Sequence, residues 1–171
     1  MTVATVGRSI RPFFYFVVIA LSIASFALIV HDLKNLLGTH FCAITGTFSD
    51  DVCNYGIAAN VIVFVFALFT FVWVLAGAFM GSFGGLLMPV ELGVTGFNTI
   101  WAMIWAIVIS AKVTKSRPEK VNAVLGFAWV DFGLLLICVV MAAAMDRRDK
   151  SESSGGDTGA DAGGEAEPAE A

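Results

Sequence analysis

Charge is scarce in this sequence of 171 residues, of which 14% are Asp, Glu, Lys or Arg and 58% are hydrophobic. A soluble domain carries roughly 25% charged residues, so the composition argues against an ordinary soluble fold. Enzyme signatures are missing too, because there is no Gly-rich phosphate loop, no HExxH and no GxSxG. We therefore expect no catalytic activity and no cofactor. The sequence also lacks a basic patch for nucleic acid and an N-x-[ST] site, so we expect no nucleic-acid partner and no N-glycan.

Four long apolar runs take the place of these signals, at 12–30, 56–80, 86–111 and 121–145. A helix rises about 1.5 Å per residue and the hydrocarbon core is roughly 30 Å thick, so about 20 apolar residues cross a bilayer. We predict an all-α integral membrane protein with a bundle of four transmembrane helices. Its expected divisions are an N-terminus at 1–11, a four-span domain at 12–148 with spans near 12–30, 56–80, 90–111 and 121–145, and a tail at 149–171.

The tail carries the acidity of the chain. From Asp146 onward there are eight acidic and three basic residues, a net charge of −5, whereas the residues before it have a net charge of +1. Residues 151–171 are rich in Gly, Ala, Ser, Asp and Glu and contain no aromatic side chain, which predicts disorder. Two roles stay open for this tail: a solvated, solubilising extension, or a docking segment for a basic cytosolic partner.

Cysteine placement bears on the loop between the first two runs. Cys42 and Cys53 lie in that loop, whereas Cys138 lies inside the fourth run. The loop pair suggests a disulfide, with two free thiols as the alternative. Because disulfides persist outside the cytosol, a bridge would place this loop on the non-cytoplasmic side. We expect no zinc site, since His31 and His40 precede the cysteines without CxxC or HxxxH spacing.

Basic residues give a weaker signal about topology. Arg8 and Arg11 precede the first run, and Arg147 and Arg148 follow the last, which favours cytoplasmic termini. Five basic residues fall on each side, however, and the cluster between 112 and 120 argues for the opposite orientation. The first run is longer than a signal-peptide core of roughly 7 to 15 residues, so we expect an uncleaved signal anchor.

Among the polar side chains within the runs, Asn60, Asn98 and Asp131 are the candidates for chemistry. An ionised carboxylate in the middle of a span costs at least about 3 kcal/mol. Asp131 must therefore face the bundle, find a partner or keep its proton. An inter-helix hydrogen bond and a transport or proton-relay role both satisfy this requirement.

Small residues recur every fourth position at two places, Ala20 with Ala24 and Gly77 with Gly81. This spacing lets helix backbones approach closely, and such packing drives helix association in lipid. We expect these positions to support helix packing and self-association, with membrane lipids and other membrane proteins as the remaining partners.

The segment CNYGIAANVIVFVFALFTF, which starts at Cys53, resembles the synaptogyrin and synaptophysin families of the MARVEL superfamily. Its Cys53, Tyr55, Gly56 and Ala58 lead directly into the second span. Further features resemble synaptogyrin in order and spacing: Arg11, the pair Phe41–Cys42, Glu91, Gly93, Trp101, Trp105 and the loop AKVTKSRPEK. The resemblance covers roughly residues 8–148.

This resemblance implies cytoplasmic termini, two lumenal or extracellular loops, and a non-enzymatic role in trafficking or organising vesicles, endomembranes or plasma membrane. Two departures stand out: the tail lacks the tyrosine-rich repeats of these families, and Asp131 occupies a position where they usually carry an uncharged residue. A small transporter or channel-accessory subunit built around Asp131 is the alternative. A claudin-like adhesion protein fits less well, because the Gly-Leu-Trp signature is missing.

The predicted topology can be tested with protease on sealed, right-side-out vesicles. We expect the tail to survive, because both termini would face the vesicle interior. Detergent should then expose it, which serves as the control. Digestion of the tail in intact vesicles would reverse the topology.

Overall fold

Four helices form the computed structural model, which describes residues 3–33, 42, 44–45, 51–80, 84–113 and 119–155. They are α1 (Val3–Leu28), α2 (Asp51–Met80), α3 (Gly84–Lys112) and α4 (Glu119–Gly155), and a π-helical turn (Ile29–Leu33) extends α1. Every regular element within these described ranges is helical, which confirms the predicted all-α class.

Each helix contains one stretch that is long and apolar enough to cross a membrane. These stretches are Ile10–Leu33, Asp51–Gly77, Pro89–Lys112 and Glu119–Arg148. They coincide with the four apolar runs, so the predicted number of spans is confirmed at the level of length and composition.

Two helices extend beyond the predicted spans. The helix α1 begins at Val3, within the predicted N-terminal segment 1–11, and continues through Pro12. The helix α4 continues to Gly155, into the predicted tail at 149–171, whose disorder stays a prediction. Once a helix has formed in the span, adding a residue costs little, so Arg147, Arg148 and Lys150 extend it. Residues 156–171 and Gly81 lie outside the described residues.

The buried residues of every helix recur at alternating intervals of three and four. In α1 and the π-helical turn they include Arg11, Tyr15, Val18, Ser22, Ser25 and Ile29. In α3 they include Glu91, Thr95, Asn98, Ala102, Trp105 and Ile109, with Thr99 and Ala106 buried beside them. The same spacing runs from 53 to 70 in α2 and from 121 to 142 in α4. A repeat of 3.5 residues is typical of helices that pack knobs into holes in a left-handed bundle.

The bundle is closed by four helix contacts, α1 with α2, α2 with α3, α3 with α4, and α4 with α1. The helices α1 and α3 therefore face each other across a diagonal of the bundle. Only long side chains can bridge this diagonal.

The predicted disulfide between Cys42 and Cys53 is confirmed, with Cα atoms 5.9 Å apart and both side chains fully buried. It joins the residues before α2 to the first turn of α2. Cys138 is free and buried. The bridge packs into an apolar cluster with Ile29 and Trp105 at the end of the bundle where α1 finishes.

Gly56 marks a close approach between α2 and α3. A Cβ atom at this position would lie 2.5 Å from Cη2 of Trp105 and 3.1 Å from Cδ1 of Ile29. The neighbouring Tyr55 ring packs against Trp105 and Trp101, with centroids 5.8 and 6.4 Å away. The indole of Trp105 thus occupies the space that a larger side chain at 56 would need.

Replacing Gly56 with Ala should therefore lower thermal stability, because overpacking a filled core costs about 1–3 kcal/mol. Tryptophan fluorescence during heating in detergent micelles measures the change. The matched control is Gly126→Ala, where the added methyl group meets no atom within 4 Å. The helix should tolerate that control or gain slightly from it. Equal melting temperatures for Gly56→Ala and the control would contradict the close packing.

Candidate functional site

The most unusual feature of the interior is a buried ion pair between α1 and α3. Nη1 of Arg11 donates to both carboxylate oxygens of Glu91 at 2.9 Å, and the two side chains are 3% and 4% exposed. The pair crosses the diagonal of the bundle, where the backbones are too far apart to touch. It therefore fixes how α1 and α3 face each other.

Two hydroxyl groups extend this pair by one helical turn. The hydroxyl of Tyr15 donates to Oε1 of Glu91 at 3.2 Å and lies 2.9 Å from Oγ1 of Thr95. Tyr15 follows Arg11 on the buried stripe of α1, and Thr95 follows Glu91 on that of α3. We call these four residues, Arg11, Tyr15, Glu91 and Thr95, the diagonal cluster. It converts a single ion pair into a network that spans two turns of each helix.

Burial of a charge in an apolar interior costs several kcal/mol unless that charge is paired and hydrogen-bonded. Within the diagonal cluster, Glu91 receives three hydrogen bonds from Arg11 and Tyr15. Its negative charge is thus matched by the guanidinium. The Nε atom of Arg11 has no partner among the described residues.

By sequence position, Arg11 is a basic residue that precedes the first span. The structure buries this side chain and pairs it with Glu91. A charge beside the end of an apolar run looks like a flanking residue when each run is considered alone. The spacing of Arg11, Tyr15 and Val18 along one stripe is the sequence signal that identifies it as an interior residue.

Asp131 faces the bundle interior, as one of the predicted possibilities requires. It is 3% exposed, and Ser22 on α1 donates to its Oδ2 at 3.4 Å. Its Oδ1 atom has no partner in the part of the chain that the structure describes. The sequence did not predict Ser22 as the partner of Asp131. Its position on the buried stripe of α1 is the signal that could have identified it.

The two asparagines both donate to backbone carbonyl groups, Asn98 across the α2–α3 interface and Asn60 within α2. Nδ2 of Asn98 donates to the backbone carbonyl of Val63 on α2 at 3.3 Å. Nδ2 of Asn60 donates to the carbonyl of Gly56 within its own helix at 2.7 Å. Asn98 therefore joins two helices, whereas Asn60 caps a carbonyl one turn away. The structure does not bring Asn60, Asn98 and Asp131 together through any hydrogen bond between described side chains.

The predicted small-residue positions lie away from the bundle core. Ala20 is exposed on the outer face of α1, while Ala24 and Gly77 are half-buried. Close helix packing within the monomer is instead provided by Gly56. Ala20 and Ala24 are therefore available to a neighbouring molecule in the membrane.

A second ion pair closes the opposite end of the bundle. Nζ of Lys120 lies 2.8 Å from Oδ1 of Asp32, and Nδ1 of His31 lies 3.3 Å from the same oxygen. This contact joins the end of α1 to the start of α4. Lys120 is therefore paired with Asp32.

The buried polar groups described above form ion pairs and hydrogen bonds with one another or with backbone carbonyl groups. No group of three or more His, Cys, Asp or Glu side chains capable of holding a metal ion occurs among the described residues. Comparison with known proteins finds no matching family, no matching curated protein and no matching solved structure.

The diagonal ion pair should show strong non-additivity. Arg11→Met or Glu91→Gln alone should each destabilise the bundle by about 3–5 kcal/mol, because each leaves one buried charge without its partner. The double variant should lose much less than the sum of the two. Chemical denaturation in mixed micelles measures these differences.

The control for charge removal is Arg147→Met, since Arg147 is exposed at the end of the last span and should be nearly neutral. If the losses from Arg11→Met and Glu91→Gln simply add, the two side chains do not depend on each other, and the diagonal pairing is contradicted.

Proposed function

We propose that this chain is a non-enzymatic, four-span membrane protein of MARVEL type, closest to the synaptogyrin and synaptophysin families. In this proposal it organises or traffics vesicle, endomembrane or plasma-membrane domains, and both termini face the cytosol. Its interactions are lateral, with lipids, with its own copies and with other membrane proteins, while the acidic tail meets a cytosolic partner.

One observation supports this proposal: several of the residues that carry the resemblance contact one another. Arg11 pairs with Glu91, and Cys42 is bridged to Cys53. Gly56 of the CNYG motif accommodates Trp105. The first and the third of these contacts join different helices.

The outer surface supports a lateral mode of action. Large apolar side chains are exposed on every helix, for example Phe16 on α1, Val72 on α2, Ile100 on α3 and Val140 on α4. In contrast, ten polar or charged side chains of the described spans are buried, among them Thr95, Asn98 and Asp131. Such a bundle presents an apolar surface to lipids and other helices, and it buries these polar groups between its own helices.

Ala20 and Ala24 form the best candidate face for self-association, because they lie on the outside of α1 with the small-xxx-small spacing. Ala20→Leu should lower the yield of crosslinked oligomers without unfolding the bundle, since its side chain is exposed. Crosslinking in native membranes, followed by gel electrophoresis, measures the yield.

Val30→Leu is the matched control, because Val30 is also exposed on α1 but lies outside the small-residue spacing. Localisation of a tagged chain in its own cell tests the wider role, with enrichment in a subset of vesicles or membrane patches expected. Unchanged oligomer yield in Ala20→Leu contradicts this packing face, and an even distribution over all membranes contradicts the trafficking role.

A second candidate is a small transporter or channel-accessory subunit built around Asp131. The observation that favours it is the buried Oδ1 atom of Asp131, which has no partner among the described residues. This candidate requires an ion or proton flux across proteoliposomes that Asp131→Asn abolishes. Absence of flux in the parent protein would remove it.

A further inference from the structure

The interface between α1 and α4 contains polar atoms that the bundle does not satisfy. Asp131 has one polar contact, the 3.4 Å hydrogen bond from Ser22 to Oδ2. Its Oδ1 atom and Oγ of Ser25 are both buried without a partner among the described residues. Ser22 and Ser25 are each 1% exposed, so water outside the bundle does not reach them. Buried polar atoms without partners are costly and point to something that completes the site.

The helix directions bring these three side chains to one level. The contact between Lys120 and Asp32 places the start of α4 beside the end of α1, so the two helices are antiparallel. Helical side chains lean toward the N-terminus of their own helix. Asp131 therefore leans along α1 from Ser22 toward Ser25, while Ser25 leans back toward Ser22. Asp131 and Ser25 therefore lean toward each other along the α1–α4 interface, although Oγ of Ser25 makes no hydrogen bond with Asp131 in this structure.

Among the described residues, the helices that pack against α4 carry no positive charge close to Asp131. Arg11 is held by Glu91, and Lys120 is held by Asp32. Each of these two cations lies eleven residues from the Ser22–Asp131 contact along its own helix, about 16 Å away at the α-helical rise. The other titratable or charged side chains described on these helices are Tyr15, His31, Lys112, Glu119, Cys138, Asp146, Arg147 and Arg148, which lie near helix ends or two turns or more away.

An ionised Asp131 would be a buried anion without a cation, at a cost of several kcal/mol. One positive charge at the site removes this cost. A proton on Oδ1 also provides the missing hydrogen bond, because Oδ1 then donates to Oγ of Ser25 while Oδ2 accepts from Ser22. A metal cation is less suited, since hard cations take about six or more oxygen ligands and the site has two carboxyl and two hydroxyl oxygens.

We propose that Asp131, Ser22 and Ser25 form an intramembrane proton-binding site between α1 and α4, in which Asp131 is a neutral acid that donates to Ser25. Loss of this proton leaves an uncompensated anion between the two helices, so the α1–α4 contact is linked to proton occupancy. The proposed site is independent of the membrane-organising role. Localisation of the chain tests that role, whereas the protonation state of Asp131 tests this site.

Infrared spectroscopy of the protein in lipid bilayers tests this site directly. The difference spectrum between the parent and Asp131→Asn at neutral pH should contain the carbonyl band of a protonated carboxylic acid. This band should shift in Ser25→Ala, which removes the proposed acceptor, and should disappear at strongly alkaline pH. Glu119→Gln is the matched control and should leave the band in place, because Glu119 is exposed at the start of α4.

Three results would overturn the proposal. A missing band at neutral pH means that Asp131 is ionised. A band that sodium chloride removes at constant pH means that a metal cation occupies the site. An unshifted band in Ser25→Ala means that Ser25 is not the acceptor.

Labelling of the parent protein with dicyclohexylcarbodiimide keeps the proposal testable if Asp131→Asn does not fold. This apolar reagent enters the bilayer and modifies protonated carboxyl groups. Peptide mass mapping should find the label on Asp131 and not on Glu91. Label on Glu91 alone, or on neither residue, would contradict a neutral Asp131.

Discussion

A buried charge in an apolar interior is costly without a partner, and the Arg11–Glu91 pair meets this constraint across the diagonal of the bundle. The neighbouring helices are held by apolar packing along their shared edges. Within the described ranges, the backbones of α1 and α3 do not contact each other, so this pair is a direct polar link between the two helices. Removing either member would leave a charge that lipid cannot stabilise, which makes correct pairing a condition for the folded bundle.

The two ends of the bundle are fixed by different chemistry. At one end, the diagonal cluster combines a charge pair with the hydroxyls of Tyr15 and Thr95. At the other end, the bridge between Cys42 and Cys53 packs beside Trp105. Between them lies the Ser22–Asp131 contact, where Oδ1 of Asp131 has no partner among the described residues. A bundle held at both ends can tolerate an incompletely paired site in its middle, where proton occupancy can act on two helices.

Much of the fold follows from the sequence, because four apolar runs in a bilayer leave few alternatives to four helices. The disulfide also follows, since it depends on loop position. The diagonal pair did not, because Arg11 and Glu91 lie eighty residues apart and each looks like a boundary residue of its own run. The 3.5-residue stripe of buried positions carried the information that was missed. Ser22 and Ser25 were missed for the same reason. Serine is common in apolar spans, and only its position on the buried stripe of α1 indicates that it lies near Asp131. The helix beyond 148 was missed because composition alone treats the tail as independent of the span before it.

The distance between the Arg11 guanidinium and the Glu91 carboxylate is the most direct test of this account. Solid-state NMR of the chain in lipid bilayers, with nitrogen-15 in arginine and carbon-13 in glutamate, measures it through dipolar coupling. The account predicts a strong coupling between the side chains of Arg11 and Glu91 that is lost in Glu91→Gln. A parent spectrum without this coupling would show that the bundle is not held across its diagonal by the pair.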